Sequence, residues 1–208
     1  MHAGIKRMIS RNFFIDVPDW VSSGSLEEWH EKYNEETSGK IRIKPSSGFE
    51  VRELKHFEAG EFSKLMRGNI LKYEYVSKLH KLLAVVRRSP AYYRRLLLSD
   101  KHILLRAGKE SGRMAGGLEA SIKKNSFDEK YVHIRWLLIM PEYRDRNIGI
   151  MLLNELERLL IGQGIFYTIS AVHFANQSCI RVHEKFGARK FSISGEYFYF
   201  AKRLCGSD

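Results

Sequence analysis

A chain of 208 residues, 44% hydrophobic and 28% charged, has the length and balance of a soluble globular protein with one ample core. Its apolar runs fall short of the ~20 residues that a membrane span needs, and no apolar run follows the basic start at Lys6 and Arg7, so neither a span nor a secretory signal is expected. The net charge of +11 favours polyanions, yet it is spread along the chain, which points to a solvated surface rather than to nucleic acid.

Residues 1–48 read as an N-terminal extension without legible chemistry, and 49–208 as one domain. Within the extension, Ser25 followed by Glu28 forms a capping box for a helix to about residue 36, and residues 40–44 alternate like a short strand. Residues 51–54 predict a strand. Leu71, Val76, Leu79, Leu82, Leu83 and Val86 then recur at helical spacing. Pro90 breaks or restarts that helix. The densest basic cluster follows, Arg87-Arg88 and Arg94-Arg95 around Tyr92-Tyr93. Its apolar helical surroundings make it a solvated helix end. Strands are predicted at 103–106 and 116–122, joined through a turn at 108–112. After a turn at 125–130 comes a strong strand, 131–140, ended by Pro141. Ile148, Leu152, Leu156, Leu159 and Leu160 stripe a helix over 148–161, which Gly162 and Gly164 end. A strand at 166–172, a helix at 177–186 stopped by Gly187, and strands at 188–193 and 197–204 complete a mixed α/β pattern. The two cysteines, Cys179 and Cys205, form no CxxC pair, so neither a disulfide framework nor a metal site is expected, and a cytoplasmic location fits.

The loop Pro141-Glu142-Tyr143-Arg144-Asp145-Arg146-Asn147-Ile148-Gly149 carries the clearest chemistry. It joins a strand to a helix, and a helix N-terminus offers unpaired N–H groups and partial positive charge to an anion. Arg144 and Arg146 add charge-assisted hydrogen bonds. Arg144-x-x-Asn147-x-Gly149 resembles the (Q/R)-x-x-G-x-(G/A) acyl-CoA motif of the GNAT superfamily, with Asn147 in place of its first glycine. Asn tolerates left-handed backbone angles better than most residues. Downstream, the run from Asn176 through His183-Glu184-Lys185-Phe186-Gly187-Ala188 is similar to that family's N-x-x-A-x-x-x-Y-x-K-x-G-F helix. The two matches are specific over residues 131–188.

The resemblance implies a central, mostly antiparallel mixed sheet flanked by helices and splayed between two central strands. It implies acetyl-CoA as acyl donor and an amine as acceptor, in a family that often forms homodimers. The implied coenzyme contacts are Leu137, Leu138 and Ile139 on the strand, and Arg144, Asp145, Arg146, Asn147, Ile148, Gly149 and Ile150 in the loop and first helical turn. Asn176 and His183 complete the set. In the family, the backbone at Ile139 would meet the pantetheine amide, and the Leu137 N–H would stabilise oxyanion charge on the thioester carbonyl. His183 stands where the family carries a tyrosine that protonates the leaving thiolate, and a structural histidine is the alternative.

Strict alternation along 131–140 places Val132, Ile134, Trp136, Leu138 and Met140 on one apolar face, and Tyr131, His133, Arg135, Leu137 and Ile139 on the other. An amine must lose a proton before it attacks, so a base is needed. His133 and Glu119 compete for that role, with His173 a third candidate. The expected activity is therefore direct N-acetyl transfer, with a weakly catalytic acyl-CoA sensor or a longer-chain acyltransferase as alternatives.

Overall fold

The computed structural model describes residues 48–72, 78–109 and 112–204. The helix and strand expected within 25–44 lie outside the described residues, as does Cys205. The strands are β1 (Glu50–Glu53), β2 (His102–Gly108), β3 (Met114–Lys124), β4 (Lys130–Ile139), β5 (Tyr167–His173), β6 (Arg189–Ser194) and β7 (Tyr197–Arg203). They form one seven-stranded sheet in the order β1-β2-β3-β4-β5-β7-β6. Neighbours run antiparallel except β4 and β5, which are parallel. The helices are α1 (Ala59–Ile70), α2 (Lys78–Arg87), α3 (Pro90–Leu96), α4 (Ile148–Ile161) and α5 (Gln177–Lys185). This is the expected mixed, mostly antiparallel sheet with flanking helices.

Local chemistry sets several of these boundaries. Pro90 restarts the chain as a helix: it lacks an N–H that the first turn would leave unpaired, and the Ser89 hydroxyl accepts from the Tyr92 N–H at 3.2 Å. The β3–β4 turn closes on Asn125, whose side chain accepts from the N–H groups of Phe127 and Glu129 at 3.0 and 2.9 Å. Gly187, at φ 82°, ends α5 in the left-handed conformation that glycine adopts without steric cost.

Two cores form on opposite faces of the sheet. On one, α4 buries Ile148, Leu152, Leu156 and Leu160 against Leu105, Leu118, Val132 and Ile134. Cutting any of these α4 leucines to alanine costs roughly 2–5 kcal/mol, because the cavity refills only in part. On the other, Phe62 and Met66 of α1 and Tyr93 and Leu96 of α3 pack on Leu104, Met114 and Leu138.

Two expectations change here. Of the predicted stripe, Leu71, Leu82 and Val86 are exposed, at 52%, 60% and 66%. Leu71 follows the end of α1 at Ile70, whereas Leu79, Leu82, Leu83 and Val86 fall within α2, so Leu71 does not belong to the same helix as the rest; Val76 lies outside the described residues. The alternation along β4 is also interrupted. Opposite β3, Glu119 pairs with Trp136 but Ala120 pairs with Ile134, so Arg135 is inserted as a β-bulge. The inserted residue reverses the phase of everything after it. Val132 and Ile134 therefore share the α4 face with Leu137 and Ile139, whereas Trp136, Leu138 and Met140 turn to α1 and α3. Consequently His133 does not share a face with Leu137.

At the β1 edge, Glu58 is 5% exposed. It accepts from Arg52 Nη1 and Nη2 at 2.8 Å, from the Lys55 N–H at 2.9 Å and from Arg106 Nη1 at 2.6 Å. Burial alone would raise its pKa, but these bonds outweigh burial and hold it down to about 2.

Candidate active site

The central strands part soon after they meet. β4 and β5 pair only at Val132–Thr168, His133–Ile169 and Ile134–Ser170. From the bulge at Arg135 onward, β4 follows β3 and leaves its other edge unpaired by β5. The Met140 N–H donates to Ala115 O on the β3 side at 2.9 Å. Backbone groups alternate sides along a strand, so the amides of Leu138 point the same way and those of Leu137 and Ile139 point into the fork. Leu137 and Ile139 are half-buried there.

The fork opens beside the loop after β4. A short 3-10 turn, Pro141–Tyr143, leads to Arg144, and α4 begins at Ile148. Asp145 and Asn147 both adopt left-handed angles, at φ 59° and 56°. Successive N–H groups in such turns converge into a concave anion-binding nest. No side chain caps α4, so its first-turn N–H groups keep their positive field. Arg144, Asp145, Arg146 and Asn147 are exposed, while Ile148, Gly149 and Ile150 are buried. The left-handed angle at Asn147 explains why this position favours glycine and tolerates asparagine. Gly149 has another reason to be small: a Cβ there would lie 3.1 Å from Val182 Cγ1 of α5 and 3.9 Å from Leu137 Cδ2. Loop, α5 and the free edge of β4 therefore meet at one point.

Beside the bulge, on the α1–α3 face, lies Glu119 with no solvent exposure. Tyr92 donates to its Oε1 at 3.2 Å and Tyr93 to its Oε2 at 3.3 Å. Arg135 Nη1 stands 3.3 Å from Oε1 and Arg88 Nε 3.9 Å from Oε2. Arg88 also lies over the Trp136 ring, 4.6 Å from its centroid. Sequence reasoning singled out Glu119 but missed Arg88, Tyr92, Tyr93 and Arg135 as its partners.

The sequence profile of the acetyltransferase (GNAT) family matches residues 73–188, more than half of the chain. The chain belongs to that family. Among curated proteins none matches it. Solved structures share its fold. PaiA N-acetyltransferase from Thermoplasma acidophilum, in complex with coenzyme A, is 20% identical at TM-score 0.63, over 74% of this chain and 98% of that one. The yncA protein of Salmonella typhimurium, solved with acetyl-CoA, is 14% identical at TM-score 0.60, over 77% and 96%. An aminoglycoside acetyltransferase from an uncultured soil metagenomic sample is 25% identical at TM-score 0.57, over 71% and 95%. Among the described residues, no helix of this GNAT acetyltransferase is long and apolar enough to cross a membrane.

The remaining candidates lie on β4, at the end of β5, and on α5 and its cap. His133 is 5% exposed, and burial, then Arg135 and Lys123, press its pKa down to about 3. His183 is 2% exposed, with its Nδ1 2.9 Å from Cys179 O, and burial lowers it to about 4. Cys179, whose thiol burial pushes up to about 12, packs as a small apolar side chain. Asn176 caps α5, accepting from the Cys179 N–H at 3.3 Å. His173, at the end of β5, accepts from the Ala175 N–H at 3.1 Å and pairs with Glu196 at 3.4 Å. The acetyltransferase thus gathers Glu119, His133 and the Leu137 amide near the bulge on β4. Arg144 to Ile150 form the adjoining loop, and His173 is engaged by the β6–β7 side of the sheet. One signal could have found the missed cluster: Glu119 is a lone acid among Gly116, Gly117, Leu118 and Ala120. A buried carboxylate requires cations or hydroxyl donors from elsewhere in the fold.

Proposed function

We propose that this acetyltransferase moves an acetyl group from acetyl-CoA to a primary amine by direct attack in the β4–β5 fork. The observation that carries the reading is the pairing of β4 with β5 for three residue pairs only, next to an uncapped helix N-terminus reached through two left-handed residues. The solved complexes of PaiA with coenzyme A and of yncA with acetyl-CoA support the choice of donor.

The residues present fit such a ligand. Arg144, Arg146 and the N–H groups from Asp145 to Ile150 hold the diphosphate. The free edge of β4 at Leu137 to Ile139 binds the pantetheine arm as an added strand would, and Asn176 borders it from α5. Bound acetyl-CoA supplies an acyl group already activated as a thioester. The Leu137 N–H donates to the carbonyl oxygen as negative charge grows on it.

The attacking amine must first be neutral. A histidine held at about 3 is too weak a base to keep a proton near neutral pH. We therefore assign proton removal to Glu119, reached through the half-buried Tyr92 hydroxyl 3.2 Å away. Tyr92 passes its phenolic proton to Glu119 and takes one from the amine. Tyr93, Arg88 and Arg135 hold the carboxylate in place.

Titration calorimetry with acetyl-CoA and coenzyme A tests the binding half, and thiol release with a panel of amines, aminoglycosides included, tests the chemistry. Absence of binding overturns the reading. Binding without turnover on any amine favours an acyl-CoA sensor, the alternative that the complete burial of Glu119 supports.

A further inference from the structure

The sheet carries a third apolar cluster, which differs from the two cores in what covers it. Tyr131 of β4, Ile169 of β5 and Ala201 of β7 form it, with Tyr167 and Phe191 packed against them, so among the described residues it is built from strands alone. Ile169 pairs with His133 on one side and with Ala201 on the other, and paired residues share a face. Alternation along β4 and β5 adds Tyr131 and Tyr167 to that face. Val132 and Ile134 face α4, so the cluster lies on the opposite, α1–α3 side. There Phe62, Met66, Tyr93 and Leu96 cover β2, β3 and the far end of β4, and none of them enters the cluster. Yet Tyr131 is 3% exposed, Ile169 1% and Ala201 6%. An apolar sheet face is sealed to that degree by a second layer packed over it.

The described helices do not supply the layer. Outside the described residues lie 1–47, 73–77, 110–111 and 205–208, and only the first stretch is long enough to cross several strands. Its composition fits the face. Residues 13–36 hold Phe13, Phe14 and Trp20, then Leu26, Trp29 and Tyr33, spaced three and four apart along the helix expected from Ser25. They carry seven acidic residues and one basic residue, Lys32. The face is rimmed by the opposite charge: Lys123 is the register partner of Tyr131, Arg189 of Ala201 and Arg203 of Tyr167. The reach is sufficient. Residues 37–47 span roughly 35 Å when extended, whereas the four strand spacings from β1 to β5 come to about 19 Å.

We infer that residues 13–36 of the same chain dock on this face of β4, β5, β7 and β6, burying their aromatic side chains over Ile169 and Ala201 and setting their carboxylates against Lys123, Arg189 and Arg203. Seated there, the segment covers the side of β4 that carries His133 and borders the fork opposite α4.

Paramagnetic broadening in the full chain tests this. Ser194 is exposed on the same face, as the register partner of Tyr197, and Arg158 is exposed on α4. With Cys205→Ser, a cysteine at either position is the thiol that takes a nitroxide, because burial pushes the Cys179 thiol up to about 12. Amide signals of residues 13–36 should lose most of their intensity with the nitroxide at Ser194→Cys and keep it with the nitroxide at Arg158→Cys. Lys123→Glu together with Arg203→Glu should restore part of the loss. Full intensity with the Ser194→Cys label overturns the inference, as does a greater loss from the α4 label. Mixing isotopically labelled chains that lack the nitroxide with unlabelled chains that carry it detects a second copy: loss in the mixture overturns docking within one chain. Broadening indifferent to the two charge reversals overturns the role given to the carboxylates.

Discussion

Acidification from about pH 7.5 to about pH 5 should cost this fold about 4 kcal/mol, half at each of two histidines. Burial, with Arg135 and Lys123 adding to it, holds His133 at about 3, and burial holds His183 at about 4. Their unfolded values lie near 6.5. With the folded pKa depressed, the unfolded chain takes up the proton first. The stabilisation is complete above about pH 6.5 and drains away as the pH falls towards the folded values. Each pH unit in that window costs about 1.4 kcal/mol per histidine, so at about pH 5 each contributes a loss of about 2 kcal/mol. That is a large share of a stability of ~5–15 kcal/mol. His102, lowered by burial and then by Arg135, moves in the same direction. Urea unfolding of wild type and His133→Gln across this range isolates the term. The slope of stability against pH should be shallower in the variant by about 1.4 kcal/mol per unit, whatever the substitution costs at neutral pH. Groups that wild type and variant share drop out of the difference. An unchanged slope would mean that His133 is protonated in the folded protein as readily as outside it, and would restore it as a competent base.

Glu58→Gln should lose about 3 kcal/mol at neutral pH, the equivalent of a carboxyl lowered from 4.5 to about 2. Because this folded pKa is depressed, the wild-type advantage is present above about pH 4.5 and disappears towards pH 2; urea midpoints at pH 7 and pH 3 check both statements. Asn147→Val places a β-branched residue at φ 56°, which should cost about 1–3 kcal/mol in thermal unfolding and weaken coenzyme binding, while Asn147→Gly keeps both fold and affinity. Glu119→Gln should lower kcat/KM for amines about 100-fold or more with coenzyme affinity unchanged; a normal rate of thiol release would remove Glu119 from the proton path.

What the sequence made legible was what short-range chemistry dictates. Helix α4 has the bounds that its apolar spacing implies, because the stripe begins at Ile148 and fails at Gly162. Asn176 caps α5, and Gly187 ends it in the left-handed conformation. The loop from Arg144 to Gly149 was recognisable because a left-handed residue and a small residue are local requirements. The structure adds a packing reason for Gly149 that only the position of Val182 reveals. The phase of β4 was not legible. An alternating strand reads alike on either side of an inserted residue, and nothing about Arg135 marks it as the insertion. Nor were the partners of Glu119, which come from α3, from the link between α2 and α3, and from β4, up to 31 positions away at Arg88. Tyr92 and Tyr93 beside four arginines looked like a wetted helix end until Glu119 supplied a reason to bury them.

The sheet is in effect two antiparallel leaves, β1 to β4 and β5 to β7, stitched by a seam three residue pairs long. Every other junction between strands is longer or backed by a hairpin. A long ligand lying along the gap past that seam would touch both leaves and act as a clasp. Its binding would raise the resistance of the C-terminal leaf to peeling away, and hydrogen exchange in β5 to β7 should slow more than in β1 and β2 when the gap is filled.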